Sequence, residues 1–188
     1  MIRWMGLAFA VLLLAPGLGV AQQVIAPSET QPGAQPGMQK KECKPGIGCV
    51  TDRPLPRYVT LKTNEGNARR GPGTEHRIDW VFKRAGMPLK LTAEFDNWRR
   101  VEDAQGEGGW MHYALLSGST RSVLVMQDLT EFLERPDDLA AVVFQAERDV
   151  VGRVIECSID WCRVAVEGER GWVRKGALWG VDPAEVIE

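Results

Sequence analysis

This sequence has little net charge, few histidines and no long apolar run. Twenty-three lysines and arginines nearly balance 25 acidic residues, so the formal net charge is −2. A chain so close to neutral lacks the basic surface that nucleic-acid binding requires, and we expect no nucleic-acid partner. The two histidines, His76 and His112, do not stand in a metal-binding spacing such as H-E-x-x-H, and G-x-S-x-G elbows and phosphate-binding glycine loops are missing. The sequence therefore predicts no catalytic residues, no metal site and no cofactor.

The longest apolar run is short and lies near the N-terminus. Trp4 to Leu14 is apolar apart from one glycine, follows Arg3, and leads to a small-residue end at Gly19-Val20-Ala21. These are the three parts of a secretory signal peptide, here residues 1–21 with cleavage after Ala21. The alternative is an uncleaved membrane anchor, but the run is shorter than the about 20 residues that span a bilayer. We expect a periplasmic or secreted protein with no stable membrane insertion after cleavage.

The next segment has few apolar residues. Gln22 to Gln39 is rich in Pro, Gly, Ser, Thr and Gln, and such a composition buries too little surface to offset the entropy of ordering. We expect residues 22–57 to be a disordered linker that carries one small loop, Cys43 to Cys49, over the turn signal Pro45-Gly46. This linker would act as a spacer or as a tether to a partner.

Cysteine is sparse as well, and its four copies form two close pairs: Cys43 with Cys49, and Cys157 with Cys162. In an oxidising compartment, an even number of cysteines in local pairs indicates disulfides. A zinc site with four thiolates is the alternative. The first pair encloses five residues, more than the usual two to four, and no histidine lies near either pair. In both cases no cysteine remains to act as a nucleophile.

From Tyr58 onward the chain repeats itself. The segment NWRRV (97–101) matches DWCRV (160–164), and EGGWMHYALLSG (107–118) matches GERGWVRKGALWG (168–180). The copies span roughly residues 58–118 and 121–180, and residues 181–188 form a C-terminal tail. Only Ser119 and Thr120 separate the two copies. We therefore predict that the copies form a packed, rigid pair.

Each copy has the two-residue period of short strands. In the first copy Leu89, Leu91 and Ala93 alternate with Lys90, Thr92 and Glu94. Alternating runs that end in Asp, Asn, Gly and Ser predict hairpins, and no long helical pattern occurs. The sequence thus predicts an all-β fold, with brief helical turns near 114–116, 177–179 and 138–143.

One combination of motifs points to a family. N-A-R-x-G-P-G (67–73), W-x-x-V (98–101), G-W (109–110) and the C-S-x-x-W-C-R-V hairpin (157–164) resemble the bacterial Src-homology-3-like (SH3-like) repeats of exported proteins, of the proteobacterial tandem type. The second copy lacks the N-A-R-x-G-P-G loop. The resemblance implies two tandem small barrels, each with five or six strongly bent strands. Some members of the wider family bind cell-wall peptides or join a catalytic domain to the wall, and we expect no catalytic domain here.

The hairpin that this resemblance implies brings Cys157 and Cys162 together. The two cysteines flank a loop of four residues, so they face each other across the strands at a span that a disulfide fits. Closing so short a loop stabilises the fold by about 2 kcal/mol in the chain-entropy model. The first copy has no such pair, and we infer that the second copy is the weaker folder.

Tryptophan, tyrosine and arginine supply the candidate ligand contacts. Four tryptophans recur at matching positions, which is typical of barrel packing: Trp98, Trp110, Trp161 and Trp172. Trp80 and Trp179 do not recur, so they are the groove candidates together with Tyr113, because these side chains join a large apolar face to a polar tip. Arg69 and Arg70 belong to a basic cluster that is either a solvated face or a site for carboxylates.

These observations favour a non-enzymatic exported binding module of the cell envelope that recognises cell-wall peptides or an extended polypeptide. The alternatives are a structural or assembly partner of another periplasmic protein, tethered by residues 22–57, and a hydrolase of unknown type. The proline-rich ligands of eukaryotic SH3 domains are not expected, because we identify no acidic, tyrosine-rich loops. The sequence indicates no particular oligomeric state.

Overall fold

The computed structural model describes residues 43–188. Within them, two antiparallel sheets of seven short strands each form the fold. The predicted signal peptide and residues 22–42 of the predicted linker lie outside the described residues. The first sheet contains β1 (Arg57–Leu61), β2 (Gly66–Arg69), β3 (Ile78–Phe82), β4 (Pro88–Phe95), β5 (Trp98–Glu102), β6 (Gly108–His112) and β7 (Leu116–Ser117). The second contains β8 (Ser122–Val125), β9 (Thr130–Leu133), β10 (Val142–Ala146), β11 (Val151–Cys157), β12 (Trp161–Val166), β13 (Glu169–Arg174) and β14 (Leu178–Trp179).

The two sheets have the same strand order, which confirms the internal repeat and the predicted tandem all-β fold. The orders are β3-β2-β6-β5-β4-β1-β7 and β10-β9-β13-β12-β11-β8-β14. Each sheet has more strands than the expected five or six, because each includes a two-residue strand after its 3-10 helix. Each sheet also encloses its own apolar core, with Leu61, Leu89 and Met111 in the first and Phe132 and Val164 in the second.

Helical turns occur at two of the three predicted places. Short 3-10 helices span Tyr113–Leu115 and Lys175–Ala177, one or two residues before the predicted positions. The third prediction, a helical turn over 138–143, is wrong, because β10 starts within it at Val142. The Asp137 carboxylate accepts a hydrogen bond from the backbone N–H of Leu139 at 3.0 Å, a local turn that competes with helix formation. Among residues 43–188, no helix is long and apolar enough to cross a membrane.

A bulge in β4 reverses the predicted orientation of Glu94. The pairing between β4 and β5 shifts register between Leu91 and Ala93, and an extra residue of this kind turns the following side chains to the opposite face. Glu94 is therefore buried, whereas simple alternation places it on the face away from Leu91. The matching shift in the second copy lies between Val154 and Glu156.

Buried Glu94 orders the segment that precedes the first barrel. Its carboxylate accepts hydrogen bonds from the backbone N–H groups of Val50 (3.0 Å) and Thr51 (2.9 Å), and from the Thr51 hydroxyl (2.7 Å). Gly48 fits here because a β-carbon at that position would lie 2.5 Å from the Glu94 carboxyl carbon. The predicted loop between Cys43 and Cys49 is confirmed by a disulfide. Residues 43–56, predicted to be part of a disordered linker, form instead an ordered segment docked on the first barrel.

The residue pair beside the turn differs in chemistry between the β4–β5 hairpin and the β11–β12 hairpin. Glu94 pairs with Arg99 across the first hairpin, and Cys157 pairs with Cys162 at the matching place in the second. The predicted Cys157–Cys162 disulfide is present, whereas the first copy has an ion pair, with Arg99 Nε 3.7 Å from Glu94 Oε1. In the C-terminal tail, Ile187 pairs with Cys157 through backbone hydrogen bonds of 2.8 and 3.0 Å.

The two barrels pack directly on each other, as the short connection predicts. The Thr60 hydroxyl in β1 donates to the Thr120 carbonyl at 2.8 Å and lies 2.8 Å from the buried Ser122 hydroxyl in β8. Beside this contact the Tyr58 ring meets the Trp179 ring edge-on, with centroids 5.1 Å apart. Packing of the copies is therefore confirmed, and their rigidity remains a prediction.

Candidate binding face

Equivalent faces of the two barrels are built around Trp98 and Trp161. Each tryptophan is the first residue of its strand, and each pairs with the last residue of the neighbouring strand: Trp98 with His112, and Trp161 with Arg174. A 3-10 helix follows directly in both copies and fixes the direction of the chain there. We call the surface around Trp98, His112 and Tyr113 the first face, and that around Trp161, Arg174 and Asp138 the second face.

In the second face, a guanidinium group lies between an aromatic ring and a carboxylate. The Arg174 guanidinium carbon is 4.1 Å from the centroid of the Trp161 ring. Arg174 Nε donates to Asp138 Oδ1 at 3.0 Å, and Nη2 contacts the other carboxylate oxygen. The hydrogen bond from Arg174 lowers the pKa of Asp138 below its ordinary value. Trp161 is buried, while the Arg174 side chain above it is 49% exposed.

Two clefts meet at Arg174. The loop cleft, of about 350 Å³, lies between the loop that precedes β9 and the Trp161 ring, and exposed Leu129 forms part of its wall. The tail cleft, of about 470 Å³, is bounded by exposed Ile159 and by Pro183 of the C-terminal tail. Ligand sites in proteins generally fall in the range of about 300–1,000 Å³ and are mostly apolar with a few polar groups. Each cleft alone is thus large enough for a few side chains of a bound chain.

Carboxylates dominate the charge around these clefts. The loop cleft is lined by Asp128, Glu131 and Asp138, and Arg174 is its one cationic lining residue. Lys175 lines the tail cleft, but it is buried and its ammonium group donates to the backbone carbonyls of Pro183 (3.1 Å) and Glu185 (2.8 Å). The loop cleft is therefore acidic, and no tyrosine lines either cleft.

The first face is an aromatic row without a carboxylate partner. The His112 ring meets Trp98 edge-on at 5.8 Å and lies 4.9 Å from the ring of Tyr113, which is half exposed. The Arg99 guanidinium carbon is 5.8 Å from the Tyr113 centroid. His112 Nδ1 accepts a hydrogen bond from the backbone N–H of Ala114 at 3.3 Å and so caps the 3-10 helix. Of the five residues predicted from the sequence, Tyr113 belongs to this face.

The other four predicted residues do not join Tyr113 in one site. Trp80 is exposed on β3, an edge strand, and Trp179 packs against Tyr58 between the barrels. Arg69 donates to two backbone carbonyls of the loop before β3, at 3.0 and 2.7 Å, and holds that loop in place. Arg70 Nε donates to Asp79 at 3.1 Å. The two arginines therefore have partners within the chain.

The sequence interpretation missed the residues of the second face. Trp161 recurs as Trp98 and was assigned to packing, which its burial bears out only in part, because its ring is also the floor under Arg174. The available signal was the difference between the copies, since Arg174 stands where the first copy has His112. Asp138 carried no signal, because it lies 36 residues from Arg174 in a loop.

Comparison with known proteins identifies the family. The model of the bacterial SH3 domain matches residues 62–118 and 131–180, one stretch in each barrel. Among solved structures, NlpC2 and NlpC1 from Trichomonas vaginalis are similar to 68% and 73% of this chain at 14% and 13% identity, each with a TM-score of 0.31. The chain spans half the length of those two structures, and no curated protein sequence matches it. On the two family matches and the duplicated barrel, the chain belongs to the bacterial SH3 domain family.

Proposed function

We propose that this protein is a non-enzymatic binding module of the cell envelope, exported by its signal peptide, that recognises cell-wall peptides or an extended polypeptide. Bacterial SH3 domains are generally binding modules. The observation that carries the proposal is the second face, where two clefts meet at a guanidinium stacked on Trp161.

An extended chain is the ligand shape that these clefts support. Two depressions separated by a single side chain, that of Arg174, can accept successive side chains of one peptide. The exposed apolar residues Leu129 and Ile159 line the loop cleft and the tail cleft, respectively, and can contact apolar parts of a bound peptide. Wall peptides carry amines, which match the carboxylates that line the loop cleft.

Cysteine usage supports export. Both cysteine pairs are disulfides, and disulfides of this kind form and persist in oxidising compartments. Because all four cysteines of the sequence are bonded, no thiol nucleophile is present in this state. The disulfides thus support a periplasmic or extracellular location, and the lack of a thiol nucleophile supports a binding role for the two barrels.

The decisive experiment is retention of the oxidised protein, residues 22–188, on insoluble cell-wall sacs, with the filtrate assayed for released fragments. Leu129→Ser and Ile159→Ser should each weaken retention, because they remove apolar rim contacts. Leu139→Ser is the matched control, since Leu139 is 91% exposed and lines neither cleft. Retention without release is the expected result.

The other outcomes separate the alternatives. Release of fragments would establish a hydrolase. Loss of retention in Trp80→Ala alone would place the binding surface on the β3 edge rather than on the second face. No retention of the unaltered protein would reject wall binding and favour an envelope-protein partner, to be sought by cross-linking in the intact envelope.

One observation favours that second candidate, an assembly role. Both sheets end in an edge strand, β3 or β10, and both edges carry exposed apolar side chains, among them Ile78, Trp80, Val142 and Val143. An exposed edge can accept a strand of another protein through backbone hydrogen bonds. A stoichiometric cross-linked partner that contacts β3 or β10 would support this role.

A further inference from the structure

We infer that the second face is a site for a cationic group, a guanidinium or primary amine on an extended ligand, and that Arg174 occupies this site in the free protein. The inference rests on the proposed function in one respect, namely that the ligand binds at the second face. It goes beyond that function by naming the group that the face selects and the side chain that competes with the ligand.

The position of Arg174 itself outlines the site. A cation is attracted to the face of a tryptophan within about 6 Å of the ring centroid, and the Arg174 guanidinium carbon lies at 4.1 Å. A carboxylate that accepts two parallel N–H groups orients such a cation further, and Asp138 is the acceptor for Nε and Nη2 of Arg174. An aromatic floor and a carboxylate wall are thus already in place around a bound guanidinium.

Arg174 is held loosely enough to be displaced. Asp138 is the hydrogen-bond partner of its side chain among the described residues, and the two side chains are 49% and 64% exposed. Water screens exposed ion pairs, and a ligand cation that makes the same contacts with Trp161 and Asp138 can therefore compete with Arg174. The Arg174 backbone ends β13 and precedes the second 3-10 helix. Its side chain can therefore turn away from Trp161 without breaking a strand or a helix.

The charge of the loop cleft favours a cationic ligand once Arg174 has moved. The remaining charged lining residues are all acidic: Asp128, Glu131 and Asp138. Arg148 lies 3.4 Å from Asp128, and Glu131 accepts a hydrogen bond from the neutral side chain of Gln145. Asp138 would lose the one cation with which it pairs among residues 43–188, so a ligand cation that takes the same place restores the pairing.

The first face provides an internal comparison. There His112 stands in the place of Arg174 and meets Trp98 edge-on rather than with a cation over the ring. Within residues 43–188, no ion pair joins His112 to a carboxylate. The first face therefore has an aromatic ring but lacks the carboxylate wall of the cation site, and we assign the site to the second copy alone.

The test is an NMR titration of the oxidised protein, residues 22–188, with short probe peptides. The probe is acetyl-Gly-Ala-Arg-Ala-Gly-amide, and its control has neutral citrulline, which has nearly the same shape, in place of arginine. A lysine and norleucine pair distinguishes a guanidinium from an amine. We expect the charged peptides to shift the Trp161 indole signal and to bind at least about threefold more tightly than their neutral counterparts, as a cation at an exposed aromatic site allows.

Two variants with a matched control decide between the possible roles of Arg174. Arg174→Gln should tighten binding of the arginine peptide by about two- to tenfold, because the internal competitor is gone. Asp138→Asn should abolish the preference for arginine over citrulline. Asp137→Asn removes one charge from the same loop outside both clefts and should leave the preference unchanged. The amide spectrum of each variant confirms that it is folded.

The direction of the Arg174→Gln effect is the critical result. Weaker binding of the arginine peptide by this variant would mean that Arg174 contacts the ligand itself, and the inference would be overturned. Equal affinity for arginine and citrulline peptides, including undetectable binding of both up to their solubility limit, would also overturn it. If the protein is retained on sacs but does not discriminate the peptides, the proposed function stands and this inference falls. If the protein is not retained on sacs but does discriminate the charged from the neutral peptides, the inference stands and only wall recognition is rejected.

Discussion

Replacing Glu94 with glutamine tests how the N-terminal loop is held on the first barrel. The Glu94 side chain is fully buried and lies 2.6 Å from Arg57 Nη2 and 3.7 Å from Arg99 Nε. It also accepts the hydrogen bonds from Val50 and Thr51 that dock the loop. Glutamine has nearly the same shape, but it brings one acceptor oxygen and no charge. The change therefore leaves two arginines without their counter-ion and at least one loop donor without its acceptor.

The pKa of Glu94 sets the size of the expected effect. Burial alone would raise this pKa, but the hydrogen bonds from Arg57, Thr51 and Val50 outweigh it and lower the pKa from 4.5 to about 2. A lowering of this size corresponds to about 3 kcal/mol of stabilisation, since each pKa unit is about 1.4 kcal/mol. Because the pKa is lowered on folding, this stabilisation is complete above pH 4.5 and is lost as the pH falls towards 2.

Amide hydrogen exchange and urea unfolding measure the effect. In Glu94→Gln at neutral pH, we expect faster exchange at the Val50 and Thr51 amides and a loss of about 3 kcal/mol in the free energy of unfolding of the first barrel. Glu102→Gln is the control, because Glu102 lies 4.0 Å from Lys90 with a side chain that is 41% exposed, and it should cost less than about 1 kcal/mol. Unchanged exchange at Val50 and Thr51, or the same decline between pH 4.5 and 2 in Glu94→Gln as in the unaltered protein, would refute this reasoning.

Two further predictions concern the second barrel and the contact between the barrels. Removing the disulfide with Cys157→Ala and Cys162→Ala should lower the stability of the second barrel by about 2 kcal/mol, seen as earlier loss of its amide signals in a thermal melt; an unchanged melt would mean that the bridge has no stabilising role. Trp179→Ala should uncouple the barrels, detected as independent tumbling by NMR relaxation, whereas Trp80→Ala should not. Burial raises the pKa of Tyr58, so Trp179→Ala should also lower that pKa towards 10.0, as measured by ultraviolet titration. If the pKa of Tyr58 is unchanged and the barrels still tumble together, the ring contact does not hold the two barrels together.

The strands and the duplication could be predicted because their signals are local. A two-residue apolar period and the repeated Gly-Trp steps identify strands without knowledge of their partners. Cys157 and Cys162 could be paired for the same reason, since a single hairpin joins them. The bulge after Leu91 left no mark in the composition, so the inward turn of Glu94 was missed, and with it the ordered loop that Glu94 holds.

The proposed binding face was harder to predict because it forms between distant segments. Trp161 and Arg174 face each other across two strands, but the carboxylate that completes the site lies in a loop 36 residues earlier. The sequence predicts a groove position for Trp179 because this residue does not recur, and the structure places its ring in the contact between the copies. A residue unique to one copy can therefore mark the place where the copies meet as well as a site for a ligand.

The pairs beside the turns of the two hairpins, Glu94 with Arg99 and Cys157 with Cys162, mean that the two copies cannot exchange places along the chain. Glu94 needs the donors that the preceding loop supplies, while Cys157 lies against Ile187 of the segment that follows the second barrel. If the hairpins were exchanged, the loop amides would face a disulfide that accepts no strong hydrogen bond, and a carboxylate would be buried in an apolar cluster. Each half is thus specific to its neighbour in sequence, so a variant in which the two hairpins are exchanged should be less stable than the unaltered protein.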